Sequence, residues 1–120
     1  MLTTKREIIE WLEKYQIKNY TVNDDLTVDV DGGVYLNSKN LKEIPFQFGN
    51  VGSYFNCCYN QLTSLEHCPR NVGADFYCFN NPLHSIKELF DIDIKGDIFI
   101  PEHLKDSKEY QLLQKVRKLC

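Results

Sequence analysis

The sequence predicts an α/β repeat fold: a short solenoid with a small parallel sheet, capped by an N-terminal helix plus hairpin and by a C-terminal helix. Three observations carry this expectation. "VGSYFNCCYNQLTSL" returns as "VGADFYCFNNPLHSI", so that Phe55, Cys57, Asn60, Leu62 and Leu65 recur as Phe76, Cys78, Asn81, Leu83 and Ile86 at a constant shift of 21 residues. A fixed period of this size marks stacked units, each covering the open face of its neighbour. Both ends of the chain replace the repeat with apolar residues at helical spacing. No linker or low-complexity segment divides the 120 residues, so they form one domain.

Residues 1–29 are the N-terminal cap. In "TTKREIIEWLEKYQ", Thr4 and Glu7 make a capping box, in which side chains satisfy amides that a helix start leaves unpaired. Ile8, Ile9, Trp11, Leu12 and Tyr15 follow as its apolar stripe. "YTVNDDLTVDV" alternates on both sides of Asn23-Asp24-Asp25 and reads as a hairpin. About four coils then occupy residues 30–101. Val30, Val34, Leu36, Leu41 and Ile44 form a first, less regular copy. Ile94, Asp97, Ile98 and Ile100 form the last, following Val72, Asp75, Phe76 and Cys78 at a shift of 22. The extra residue falls in "SIKELFD", which suits a short helical turn. Residues 102–120 are the C-terminal cap. In "DSKEYQLLQKVRKLC", Asp106 or Ser107 is the N-cap and Leu112, Leu113, Val116 and Leu119 are the apolar face. Lys115, Arg117 and Lys118 complement the negative end of that helix.

The pattern F-x-C-x-x-N-x-L stands at Phe55-Cys57-Asn60-Leu62 and again at Phe76-Cys78-Asn81-Leu83. In each copy the first two residues point into the coil. A buried Asn at the turn bonds backbone groups that the bend leaves unpaired. These residues resemble the short leucine-rich repeats of small bacterial and tailed-phage proteins, over roughly residues 30 to 100. The outer copies depart from the pattern: Lys39 replaces the first Asn, with Asn40 one place late, and the last copy has no Asn. The resemblance implies a leucine-rich-repeat solenoid acting as an interaction scaffold, with no catalytic residues of its own. By analogy it implies a phage-encoded protein of the host cytoplasm that binds a host protein and blocks or redirects it.

Composition narrows the partners. A net charge of −3 announces neither nucleic acid nor a nucleic-acid mimic, and no apolar run is long enough to span a membrane. The charged N-terminus lacks a secretory apolar segment, and five cysteines, two of them adjacent, read as thiols in a reducing cytosol. Cys57, Cys58, Cys68 and Cys78 with His67 and His84 lack the paired spacing of a structural zinc site. Asp25, Asp29 and Asp31 lack the fixed ligand positions of a calcium loop. No cofactor is expected. Catalytic motifs are missing, although Cys58, Cys68 and Cys120 are possible nucleophiles, with His67 beside Cys68 in the chain.

Strand alternation stacks the outward residues into columns across neighbouring coils. The central column is Tyr35, Asn56, Tyr77 and Phe99; one flank is Gly33, Tyr54, Asp75 and Asp97, the other Asn37, Cys58, Phe79 and Pro101. Aromatic residues are enriched in protein interfaces, which makes Tyr35, Tyr54, Asn56, Asp75, Tyr77, Phe79, Asp97 and Phe99 the expected partner-binding set. The bland alternative is that the N-terminal helix, or another flank, folds over part of this face and buries it. Four coils spaced about 4.8 Å apart span only roughly 15 Å, less than a standard interface, so adjoining loops would also contribute. Two other functions compete with partner binding: a self-associating structural subunit, and a small cysteine-dependent enzyme.

Overall fold

In the computed structural model, which describes residues 1–118, the chain winds as a solenoid of about three turns between two helices. Helix α1 spans Lys5–Lys14. Thr4 is its N-cap, accepting from Glu7 N–H, while Glu7 Oε1 accepts from the Thr3 amide at 3.2 Å. The capping box therefore closes one residue earlier than its usual partner, the cap amide. Glu7, tied by the Thr3 amide first and by the Thr4 hydroxyl next, is held below the ordinary carboxylate range.

Strands β1 (Tyr20–Val22) and β2 (Val28–Val30) form the expected antiparallel hairpin. Asn23 and Thr27 close its turn, with Leu26 in the left-handed region at φ 68°. The boundary at residue 30 falls inside β2, which serves the hairpin on one side and the first coil on the other.

Each coil then contributes two short strands around a corner. The inner-face strands β3 (Val34–Tyr35), β5 (Phe55–Asn56), β7 (Phe76–Tyr77) and β9 (Ile98–Phe99) form the expected parallel sheet. Its register pairs Phe55 with Phe76 and Asn56 with Tyr77, as the 21-residue period requires. A second sheet accompanies it: β1 and β2 continue through β4 (Phe48–Val51), β6 (Asn71–Val72) and β8 (Asp93–Ile94). The repeated Val-Gly pairs lie at this corner. A Cβ on Gly73 would overlap the carbonyl oxygen of Gly52, so the coils approach there backbone to backbone.

The core runs along the solenoid axis. Phe46, Phe48, Phe55 and Phe76 are fully buried in edge and stacked contacts, and Trp11 of α1 joins the row through Phe46 at 5.2 Å. Asn60 and Asn81 are buried, as expected. Asn60 Oδ1 accepts from the amides of Lys39 and Leu41, and its Nδ2 donates to the carbonyl of Leu36 in the preceding coil at 2.8 Å. Asn81 repeats this with Leu62 N–H and Cys57 O. The last copy has no Asn, but His103 stands 22 residues after Asn81, with Nε2 at 2.9 Å from Leu83 O.

A 3₁₀ turn at Lys87–Asp91 absorbs the extra residue of the last coil, and a second lies at Glu102–Leu104. Helix α2 follows at Lys108–Lys118. Ser107 is its N-cap, accepting from Tyr110 N–H at 3.1 Å. The expected apolar face of α2 needs correction. Leu113 alone is buried, whereas Leu112 and Val116 are 54% and 41% exposed, and Leu119 lies outside the described residues. The helix crosses the end of one coil, whose apolar surface is narrow. Polar anchors hold it there: Glu109 accepts from Ser85 Oγ and Ile86 N–H, and Arg117 donates to Gly96 O.

Candidate functional site

The sheet β3-β5-β7-β9 sends alternate side chains to opposite faces. Val34, Phe55 and Phe76 go inward with no exposure, and Leu36, Cys57, Cys78 and Ile100 follow them into the core. Tyr35, Asn56, Tyr77 and Phe99 stand opposite them as one column in ladder register. Tyr77 and Phe99 stack nearly parallel, 4.8 Å apart with planes at 7°. Tyr54 lies 6.2 Å from Tyr77 on one side, and Phe79 6.5 Å from it on the other.

Neither terminal helix buries this face. Helix α1 packs through Trp11 on Phe46 and lies beside β1, leaving Tyr35 56%, Tyr54 38% and Phe99 42% exposed. Tyr77 and Phe79 are half-buried, largely by one another and their neighbours. Sequence alternation missed a sixth ring. Tyr59 is 55% exposed and packs edge-on against Phe79 at 5.4 Å. It occupies a left-handed bend that recurs at Ser38, Tyr59 and Asn80, one residue beyond the last column considered. The bend recurs at 21 residues in three different residue types, so its period shows in the backbone and not in the sequence.

The polar members of the expected set are partly committed to the scaffold. Asp75 Oδ1 accepts from Asp97 N–H at 2.7 Å and Oδ2 accepts from Tyr77 O–H at 3.2 Å. Lost hydration first, and the Asp75 charge next, hold the Tyr77 phenol above its ordinary range. Asn56 Oδ1 accepts from the Cys58 amide at 3.1 Å. Two flank positions are not outward at all: Cys58 and Pro101 are buried. The chain leaves extended geometry at the Tyr59 bend, so period two no longer assigns a face there.

The other chemistry-bearing residues sit elsewhere. Cys57, Cys58, Cys68 and Cys78 are buried free thiols, and Cys120 lies outside the described residues. Burial pushes the Cys58, Cys68 and Cys78 thiols up, which disfavours the nucleophilic thiolate. His67, adjacent to Cys68, places Nδ1 at 2.8 Å from the Ile44 carbonyl. Asp25 accepts from Thr27, and Asp29 from the Asn50 amide. Among the described residues no group of three His, Cys, Asp or Glu side chains could hold a metal ion. No helix among them is long and apolar enough to cross a membrane.

Compared with known proteins, the chain matches no family model, no curated protein and no solved structure. Its functional reading therefore rests on the face itself.

Proposed function

We propose that this chain is a non-catalytic protein-binding module of the leucine-rich-repeat kind, which holds a partner protein on the face of β3-β5-β7-β9. One observation carries the reading: six aromatic side chains, Tyr35, Tyr54, Tyr59, Tyr77, Phe79 and Phe99, share that face and neither terminal helix buries them. Contiguous aromatic surface costs solubility, and aromatic residues are enriched where proteins meet. The rings are also rigid for their size, so ordering them on a partner forfeits little rotamer entropy. The repeat resemblance extends the reading to a phage-encoded protein that occupies a host protein in the host cytoplasm.

The test compares neighbouring residues of β7. Tyr77→Ala is expected to weaken partner binding by about 2 kcal/mol or more while leaving the melting curve nearly unchanged. Phe76→Ala is expected to cost about 3–5 kcal/mol of stability through the cavity it opens. Affinity capture from a bacterial lysate supplies the partner, and calorimetry with both variants reads the difference. Capture that survives Tyr77→Ala undiminished moves the interface to another surface. A stable dimer by light scattering, lost in Tyr77→Ala, replaces the partner with a second copy of the chain.

A further inference from the structure

The last coil offers the same binding features that each earlier coil offers to the one after it. Phe55 N–H donates to Asp75 O and Cys57 N–H to Tyr77 O, at 3.0 and 2.9 Å. One coil on, Phe76 N–H and Cys78 N–H donate to Asp97 O and Phe99 O, both at 2.9 Å. The next donors in the series are the amides of Ile98 and Ile100, which have no partner among the described residues because β9 ends the sheet. A side chain repeats the logic. Asp75 Oδ1 receives the Asp97 amide, and Asp97 occupies the same place on the last coil, exposed, with no coil beyond it.

This edge is open along Asp97, Ile98 and Phe99, and the groove reaches Ile100, whose side chain is buried. Ile98 takes the inward position of Phe55 and Phe76 yet is only half-buried, since α2 crosses the end of the coil without closing over β9. Between them lies a groove of about 700 Å³, floored by Ile98, Phe99 and Ile100 and walled on the α2 side by Leu113, Gln114 and Arg117. Its volume suits a few residues of extended chain.

We propose that this groove receives an extended segment of a partner protein, which adds to β9 as a fifth, parallel strand of the sheet. The chemistry of the segment follows from the ladder. Its amides and carbonyls complete the bonds of Ile98, Ile100 and the Asp97 carboxylate, as strand addition does elsewhere. It sends one apolar side chain inward over Ile98 and Leu113 and one flat aromatic side chain outward onto Phe99, as Phe99 lies on Tyr77. With Lys105 paired to Glu102, Arg117 and Lys118 outweigh Asp97 in the groove and favour an acidic residue beside this pair over a basic one. A second copy of the chain could offer only its other open edge, β3, and that case shows as a dimer in solution. The site is separate from the centre of the aromatic face and stands whether or not that face is used.

The probe for the test is a capped peptide of residues 74–80 with Ser in place of Cys78, since β7 occupies on β5 the place proposed here on β9. Amide exchange of Ile98 and Ile100 in the full chain, read by NMR, is expected to slow at least about tenfold with about 1 mM probe. N-methylation of the probe at the residues corresponding to Asp75 and Tyr77 removes the donors that face β9, and is expected to weaken binding at least about tenfold. Methylation at the residue corresponding to Phe76, whose amide faces away, leaves binding in place. Gln114→Trp fills the groove and abolishes binding, whereas Tyr35→Ala, at the far end of the sheet, does not change it. Unchanged exchange at saturating probe, or equal binding of all methylated peptides, overturns the proposal. So does a dimer in solution that already protects both amides.

Discussion

The two ends of the solenoid are closed by different means. At the N-terminal end α1 inserts Ile8 and Leu12, both fully buried, and β1 pairs antiparallel with β2 to finish its sheet. Val34, the inward residue of the first coil, is completely covered. At the C-terminal end α2 fully buries only Leu113 among the described residues, with Tyr110 packed partly against the core, and Ile98, the counterpart of Val34, remains half-buried. Apolar burial holds the first cap, while Glu109 and Arg117 bonds to the coils hold much of the second. A helix attached chiefly by polar bonds gains less net stability than one attached by side-chain burial, because water competes for every bond it makes.

The sharpest way to break this contrast is to truncate the key leucine at each end. Leu12→Ala is expected to cost about 4 kcal/mol and Leu113→Ala about 2 kcal/mol, both measured by urea melts. Equal losses would show that the ends are sealed alike. The polar clamps between coils come next. Asn60→Ala and Asn81→Ala each strand buried amides and carbonyls of the preceding coil, at about 1–3 kcal/mol. His103→Ala, at the C-terminal end, removes one contact and is expected to cost less than about 1 kcal/mol.

A weaker effect separates the middle of the solenoid from both ends. The Cys68 and Cys78 thiols are raised by burial, so the unfolded chain loses these protons at lower pH than the folded one. Their contribution to stability is intact below the ordinary thiol range, near 9.0, and falls away as the pH climbs beyond it. Melting temperatures between pH 7 and pH 10 should therefore decline, and less steeply in Cys68→Ala than in the parent chain when each is referred to its own value at pH 7. The smallest expected effect belongs to Leu112→Gln on the exposed side of α2, within about 0.5 kcal/mol of the parent. A large loss there would mean that α2 buries more than Leu113.

The central repeat was legible because it is written in side chains. Phe55 and Phe76, or Asn60 and Asn81, fill identical environments, so identity of residue type revealed the register directly. The second sheet was not legible, since strands such as Asn71–Val72 are too short for alternation to register. The apolar face of α2 was misread because helical spacing identifies which residues share a side, not how wide a surface awaits them. Tyr59 escaped because a left-handed bend, at φ 57°, carries it onto a face that strand periodicity cannot reach. The aromatic column itself was readable, since Tyr35, Tyr77 and Phe99 lie where period two places them.

The bonds made by Asn60 and Asn81 also give the chain a direction in time. Each Asn serves the coil synthesised before it: the amides of Lys39 and Leu41 wait for Asn60, and Leu62 waits for Asn81. A nascent chain that has emerged only as far as one coil therefore lacks the acceptor that locks that coil's turn. Both of these turns are secured some twenty residues late, at sequence separations of 19 to 24, as the next coil leaves the ribosome. Such short delays keep loop-closure costs small at every step and let the fold advance like a ratchet from its first helix toward its last.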